Sequence, residues 1–145
     1  MPQPLAKPGL SGRLIWYLPG TFWVLFIFYL SVLIPGSNFP VCMILGFIPL
    51  DKLGHFTCYG FLIFCYMPAL QKQYHKGKSR FVAEIVLITL AIGYGVAIEF
   101  IQRLPIVNRT FEVGDMIADA VGCFLGYLGY KIVVLWIKAA ETPWT

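Results

Sequence analysis

Asp51, His55 and Tyr59 recur at intervals of four, the spacing that stacks side chains on one face of an α-helix at about 6 Å of rise per step. Lys52 adjoins the first of them. Farther along, Gln102 and Arg103 follow Glu99 at three and four residues, Arg109 stands alone, and Asp115 precedes Asp119 by four. These residue types suit a small set of chemistries. An imidazole exchanges protons near neutral pH, and a neighbouring carboxylate can orient it or act as a base, so Asp51, His55, Glu99 and Asp119 are the candidate catalytic groups. Lys52, Arg103 and Arg109 can hold an anionic phosphate or carboxylate, with Tyr59, Gln102 and Asp115 completing the candidate ligand-binding set. Asp115 and Asp119 can instead supply hard oxygen ligands to a divalent metal. A serine nucleophile is not on offer: Ser11, Ser31, Ser37 and Ser79 lie away from these residues, and no G-x-S-x-G occurs.

The elements that must position these groups are membrane spans. Of the 145 residues 59% are hydrophobic and 12% charged, against about a quarter charged in an ordinary soluble domain. From Leu14 through Leu50 there is no Asp, Glu, Lys, Arg or His. A span needs roughly 20 apolar residues, which gives four: Leu14–Ile34, Leu53–Leu70, Phe81–Ile101 and Met116–Ile137. The expected fold is all-α, a polytopic membrane protein built as one compact bundle of four transmembrane helices over residues 14–137. Short tails, 1–13 and 138–145, flank it. Tracing the chain through the bilayer brings residues 51, 52, 55, 99, 102, 103, 109, 115 and 119 to one membrane face, whatever the absolute orientation. A charge well inside a span costs roughly 2.5–3.5 kcal/mol. Several together imply mutual pairing, water or a ligand.

Orientation follows from the basic residues. Lys7, Arg13, Lys72, Lys76, Lys78, Arg80 and Lys138 fall on one side and Lys52, Arg103 and Arg109 on the other, with Lys131 inside the last span. The positive-inside rule then places both termini in the cytoplasm and the polar edges on the outer face. The net charge of +4 serves topology beside anionic headgroups, and no nucleic-acid partner is called for. Lys7 and Arg13 before an apolar stretch resemble a secretory signal, but Leu14–Ile34 is longer than a signal core and no A-x-A site follows it, so it reads as a retained anchor. The four cysteines, Cys42, Cys58, Cys65 and Cys123, form no C-x-x-C pair and read as small buried hydrophobes. Pro35–Leu50 is apolar yet broken by prolines and glycines, which puts it in the interface or folded back into the bundle. In the last span Ala118, Gly122, Gly126 and Tyr130 recur every four residues. Gly122-x-x-x-Gly126 is the pattern that lets helix backbones approach, here expected within one monomer, with Gly93 and Gly95 serving similarly. Glu84 reads as a pair with Arg80 at the opposite face.

Asp51-Lys52-x-x-His55 with Tyr59, then Glu99-x-x-Gln102, Arg109, and Asp115-x-x-x-Asp119-x-x-Gly122-x-x-x-Gly126 resembles the VanZ-like family of small bacterial membrane proteins, over about residues 10 to 137. One position departs, since that family commonly has Asn where this chain has Asp119. The family's named member is associated with lowered susceptibility to teicoplanin. The resemblance thus implies a multi-pass protein of the bacterial inner membrane with an envelope role, and establishes no biochemical activity.

Two function classes follow. In the first, an outward-facing polar pocket binds or modifies a lipid-linked or cell-wall-related anionic molecule. In the second, a non-catalytic envelope or interaction protein uses its polar network to hold the bundle together: Asp51 and Asp115 cap helices, Glu99 pairs with Arg103, and Tyr59 is a buried aromatic. His55 fits that second class least, because neither cap nor dipole asks for an imidazole. A small transporter or proton channel ranks third, since the charges gather at one end of the bundle. Cofactor and oligomeric state are open at this level.

Overall fold

The computed structural model describes residues 10–34, 43–44, 48–74, 77–107, 109 and 111–141. Four helices are long and apolar enough to cross a membrane: α1 (Gly12–Leu33), α2 (Leu50–Gln73), α3 (Lys78–Gln102) and α4 (Val113–Glu141). Each end lies within four residues of its expected place. The helices run past the apolar segments because charged residues such as Asp51, Lys72, Lys78 and Lys138 remain helical while their long or terminal side chains reach the polar interface.

Local chemistry sets the boundaries. α1 begins in the α-helical segment Leu10–Leu14, tightens to a 3-10 turn at Ile15–Tyr17, continues as α-helix from Leu18 with Pro19 in that segment's first turn, and closes in a π turn at Tyr29–Leu33. Ile34 is already extended, at φ −92° and ψ 121°, as a residue before proline is driven to be. Pro49 precedes α2 without a side-chain cap, and Asp51 sits in the first turn, where a carboxylate meets the positive end of the helix dipole. The expected cap at Asp51 is therefore a first-turn placement instead. Gly77 leads into α3 at φ 131°, a backbone region that side chains disfavour. Of the stretch at 35–50, residues 35–42 and 45–47 lie outside the described residues. Met43–Ile44 and Ile48–Pro49 form a minimal antiparallel ladder, Met43 opposite Pro49 and Ile44 opposite Ile48, a local pairing that the sequence pattern did not announce.

α2 is the most buried helix. Its residues Tyr59, Leu62, Ile63 and Met67 form the core with Ile27, Ala91 and Cys123, while Phe22, Leu90, Leu135 and Trp136 are exposed and face lipid. The closest helix contact joins α2 to α4. A Cβ on Gly122 would overlap the Phe56 carbonyl oxygen, and one on Gly126 would overlap that of Gly60. The small-residue pattern thus packs within the monomer. Gly95 makes room for a side chain, whereas Gly93 meets nothing within 4 Å. α1 is tied on by side chains that reach backbone carbonyls: Trp23 Nε1 donates to Cys58 O at 2.8 Å, Tyr94 OH to Val24 O at 2.8 Å and Gln102 Nε2 to Ser31 O at 3.1 Å. The last satisfies a carbonyl near a helix end, where intrahelical partners run out. Cys58, Cys65 and Cys123 are free thiols, the last fully buried; Cys42 lies outside the described residues.

Candidate functional site

The first turn of α2 and the start of α4 meet at one end of the bundle because the glycines above them let the two backbones touch. That contact sets Lys52 beside Glu112 and Asp115: Lys52 Nζ donates to Glu112 Oε2 at 2.7 Å and to Asp115 Oδ1 at 2.8 Å. One turn deeper, His55 Nδ1 lies 3.0 Å from Asp119 Oδ1, and His55 Nε2 lies 3.9 Å from Asp115 Oδ2. The imidazole is mostly buried and both aspartates are almost wholly so. Asp119 is seated by Gly95 on α3, where a Cβ would stand 2.5 Å from Asp119 Oδ2.

α3 contributes Glu99, which is fully buried. Its Oε2 accepts the backbone N–H of Glu112 at 3.1 Å, so it fixes the segment leading into α4. Arg103 makes no ion pair with it among the described residues. It is exposed at the end of α3, and its backbone N–H donates to Glu99 O. The ordinary pair one turn apart, expected of Glu99 and Arg103, is replaced by this carboxylate-to-loop bond, because burial turns Glu99 inward while Arg103 stays in the polar interface.

The sequence candidates therefore divide. Lys52, His55, Asp115 and Asp119 are in direct contact, with Asp51 exposed at the mouth and Glu99 on the inner side, both within electrostatic reach of the imidazole. Tyr59 lies buried one turn below His55 and packs against Tyr94, ring centroids 6.2 Å apart. Gln102 is buried, and its amide donates to Ser31 O, which ties α3 to α1. Arg109 is half-buried in the loop between α3 and α4, its backbone N–H donating to Gln102 O at 3.4 Å.

Glu112 is the residue that sequence spacing missed. It belongs to no helical repeat, and the only available signal was its place three residues before Asp115 in "EVGD". With Glu112 included, five carboxylates (Asp51, Glu99, Glu112, Asp115, Asp119) gather at this end of the bundle with Lys52, His55 and the half-buried Arg109. Of the basic residues expected to hold an anion, Lys52 donates to two carboxylates, Arg103 is exposed and Arg109 is half-buried in the loop before α4.

Among the described residues, the buried Tyr59 OH, Glu99 Oε1 and Asp119 Oδ2 find no hydrogen-bond partner. Each such group costs about 1–3 kcal/mol when left unsatisfied, and native proteins meet that cost with water, a shared proton or a ligand. A metal-compatible grouping also exists. Single ligand atoms of Asp51, His55 and Asp115 lie within 4.8 Å of one another. Asp115 and Asp119, the pair expected from spacing, lie against opposite ring nitrogens of His55.

A family model described as VanZ/LLP1 matches residues 10–135 of the chain. No curated protein and no solved structure matches it.

Proposed function

The chain belongs to the VanZ/LLP1 family, and from that premise we propose that the cluster at the α2, α3 and α4 ends is a membrane-embedded acid–base site for a lipid-linked or cell-envelope molecule. By the distribution of basic residues, it opens on the outer face of the bacterial inner membrane, with both termini in the cytoplasm. The observation that carries the proposal is the His55 geometry. An ionised Asp119 only accepts hydrogen bonds, so the contact at 3.0 Å puts a proton on Nδ1 and leaves Nε2 to exchange protons with whatever sits between Asp51 and Asp115. Asp119 positions the ring; Glu99 holds the loop that carries Glu112, and Lys52 neutralises part of the acidic rim.

The excess of carboxylates bears on how an anionic headgroup is held. Unaided, a phosphate meets repulsion here. A divalent cation on Asp51, His55 and Asp115 removes it, because such an ion takes hard oxygen and imidazole ligands and can be shared with a phosphate oxygen. Both parts are tested together. In a deletion strain, Asp51→Asn and Asp115→Asn are expected to lose complementation while membrane abundance stays at the wild-type level. In purified protein, Mn2+ titration followed by electron paramagnetic resonance is expected to show one bound ion that Asp51→Asn removes. Full complementation by both variants overturns the acid–base site; an unchanged Mn2+ signal overturns the cation.

A further inference from the structure

A second polar cluster lies at the other end of the bundle. Glu84 on α3 stands fifteen residues before Glu99, about 22 Å away along the helix, and it is buried. Its carboxylate accepts from Arg80 Nε at 2.9 Å, from Lys131 Nζ at 2.7 and 2.8 Å and from Tyr127 OH at 3.1 Å. The sequence foresaw only the Arg80 contact. Lys131 and Tyr127 come from α4, so Glu84 rivets two helices. It also fixes two cations at the floor of a groove of about 420 Å³ that Lys138 borders at its outer end.

We propose that this groove between α3 and α4 seats the phosphate of an anionic phospholipid in the leaflet on the side of the 71–80 connection. Three positive side chains (Arg80, Lys131, Lys138) and one carboxylate line the groove, a net surplus of two positive charges for a ligand. Among the described residues Arg80 bonds through Nε, to Glu84, a geometry that leaves the two terminal nitrogens on the other edge of the guanidinium as paired donors for phosphate oxygens. Lys131 and Lys138 are seven residues apart and share one helix face, with Val134 and Leu135 between them on the groove wall. Across from them Phe81 is exposed, so an acyl chain finds apolar contact directly beside the charged seat. That combination selects a lipid over a soluble phosphate. Basic pockets between transmembrane helices hold anionic headgroups in this manner.

The test is native mass spectrometry of the detergent-purified protein offered phosphatidylglycerol or phosphatidylcholine. Phosphatidylglycerol is expected to be retained several-fold more strongly. Lys138→Gln, which removes no ion pair within the described residues, is expected to weaken it roughly five-fold with an unchanged thermal midpoint. Lys131→Gln is expected to weaken it at least as much. Lys72→Gln, a cation at the same membrane side but outside the groove, is expected to change nothing. Equal retention of the two lipids, an unaffected Lys138→Gln protein, an equal loss in Lys72→Gln, or displacement of the lipid by millimolar glycerol phosphate overturns the proposal.

Discussion

Gly126→Val is expected to remove most of the folded protein from the membrane. A Cβ at this position would overlap the carbonyl oxygen of Gly60, and the obstacle is backbone in a neighbouring helix, which cannot rotate aside as a side chain does. Overpacking in a tight interior costs about 1–3 kcal/mol, and valine adds two further methyl groups at the point of closest approach. One turn earlier Gly122 meets the Phe56 carbonyl in the same way, so α2 and α4 have no slack in which to slide. Separating them also pulls Lys52 and His55 away from Asp115 and Asp119, because those residues ride on the same two helices. Membrane abundance and the thermal midpoint in detergent are the measurements, with Gly129→Val as the comparison, since a Cβ there meets nothing within 4 Å. Equal abundance of the two variants would contradict the packing described for the pair.

His55→Asn is expected to abolish complementation while abundance stays near wild type. The asparagine Nδ2 occupies roughly the place of the imidazole Nδ1 and still donates to Asp119, so the buried carboxylate keeps its partner. What it cannot do is exchange a proton at the position of Nε2. General acid–base groups contribute typically 10²–10⁴-fold in rate, and a loss on that scale is expected in any turnover assay. If the network served only to hold the bundle together, the substitution would be tolerated, since the hydrogen bond that matters for stability survives it. His55→Ala is less discriminating: it strands Asp119, which is 1% exposed, and so lowers stability as well as activity.

The separation of the two polar clusters also bears on transport. Between the His55 cluster and the Glu84 cluster the interior is built from Ile63, Met67, Ala91 and Cys123. Tyr59, Cys123 and Tyr127 also lie between the clusters, but among the described residues no carboxylate, imidazole or ammonium group does, so the stretch holds no side chain that titrates near neutral pH in its ordinary form.

Much of this architecture was legible because the bilayer simplifies the problem. Apolar length fixed the four spans, and an even number of crossings between residues 51 and 119 sufficed to bring Asp51, His55, Glu99, Asp115 and Asp119 to one face. The four-residue spacings then said which side chains share a helix edge. Lateral packing was less legible. α1 carries no charged residue between Leu14 and Leu33, so nothing in its pattern told which face meets α3, and the capture of Gln102 by Ser31 O could not be foreseen. Glu112 escaped because a loop residue obeys no period. Lys131 appeared only as a stray charge within a span; its partner Glu84 lies on another helix, 47 residues away. Arg103 shares a helix edge with Glu99 by spacing, yet burial turns only the carboxylate inward.

The most direct test of the central claim is the protonation of His55 itself, observed by ¹⁵N solid-state magnetic resonance of the His75→Gln protein in lipid, where His55 is the one remaining histidine. Nδ1 is predicted to carry a proton in the neutral ring as well as in the imidazolium, and to lose that preference in Gly95→Ala, whose new methyl group displaces Asp119. A neutral ring protonated on Nε2 with a bare Nδ1 would contradict the account.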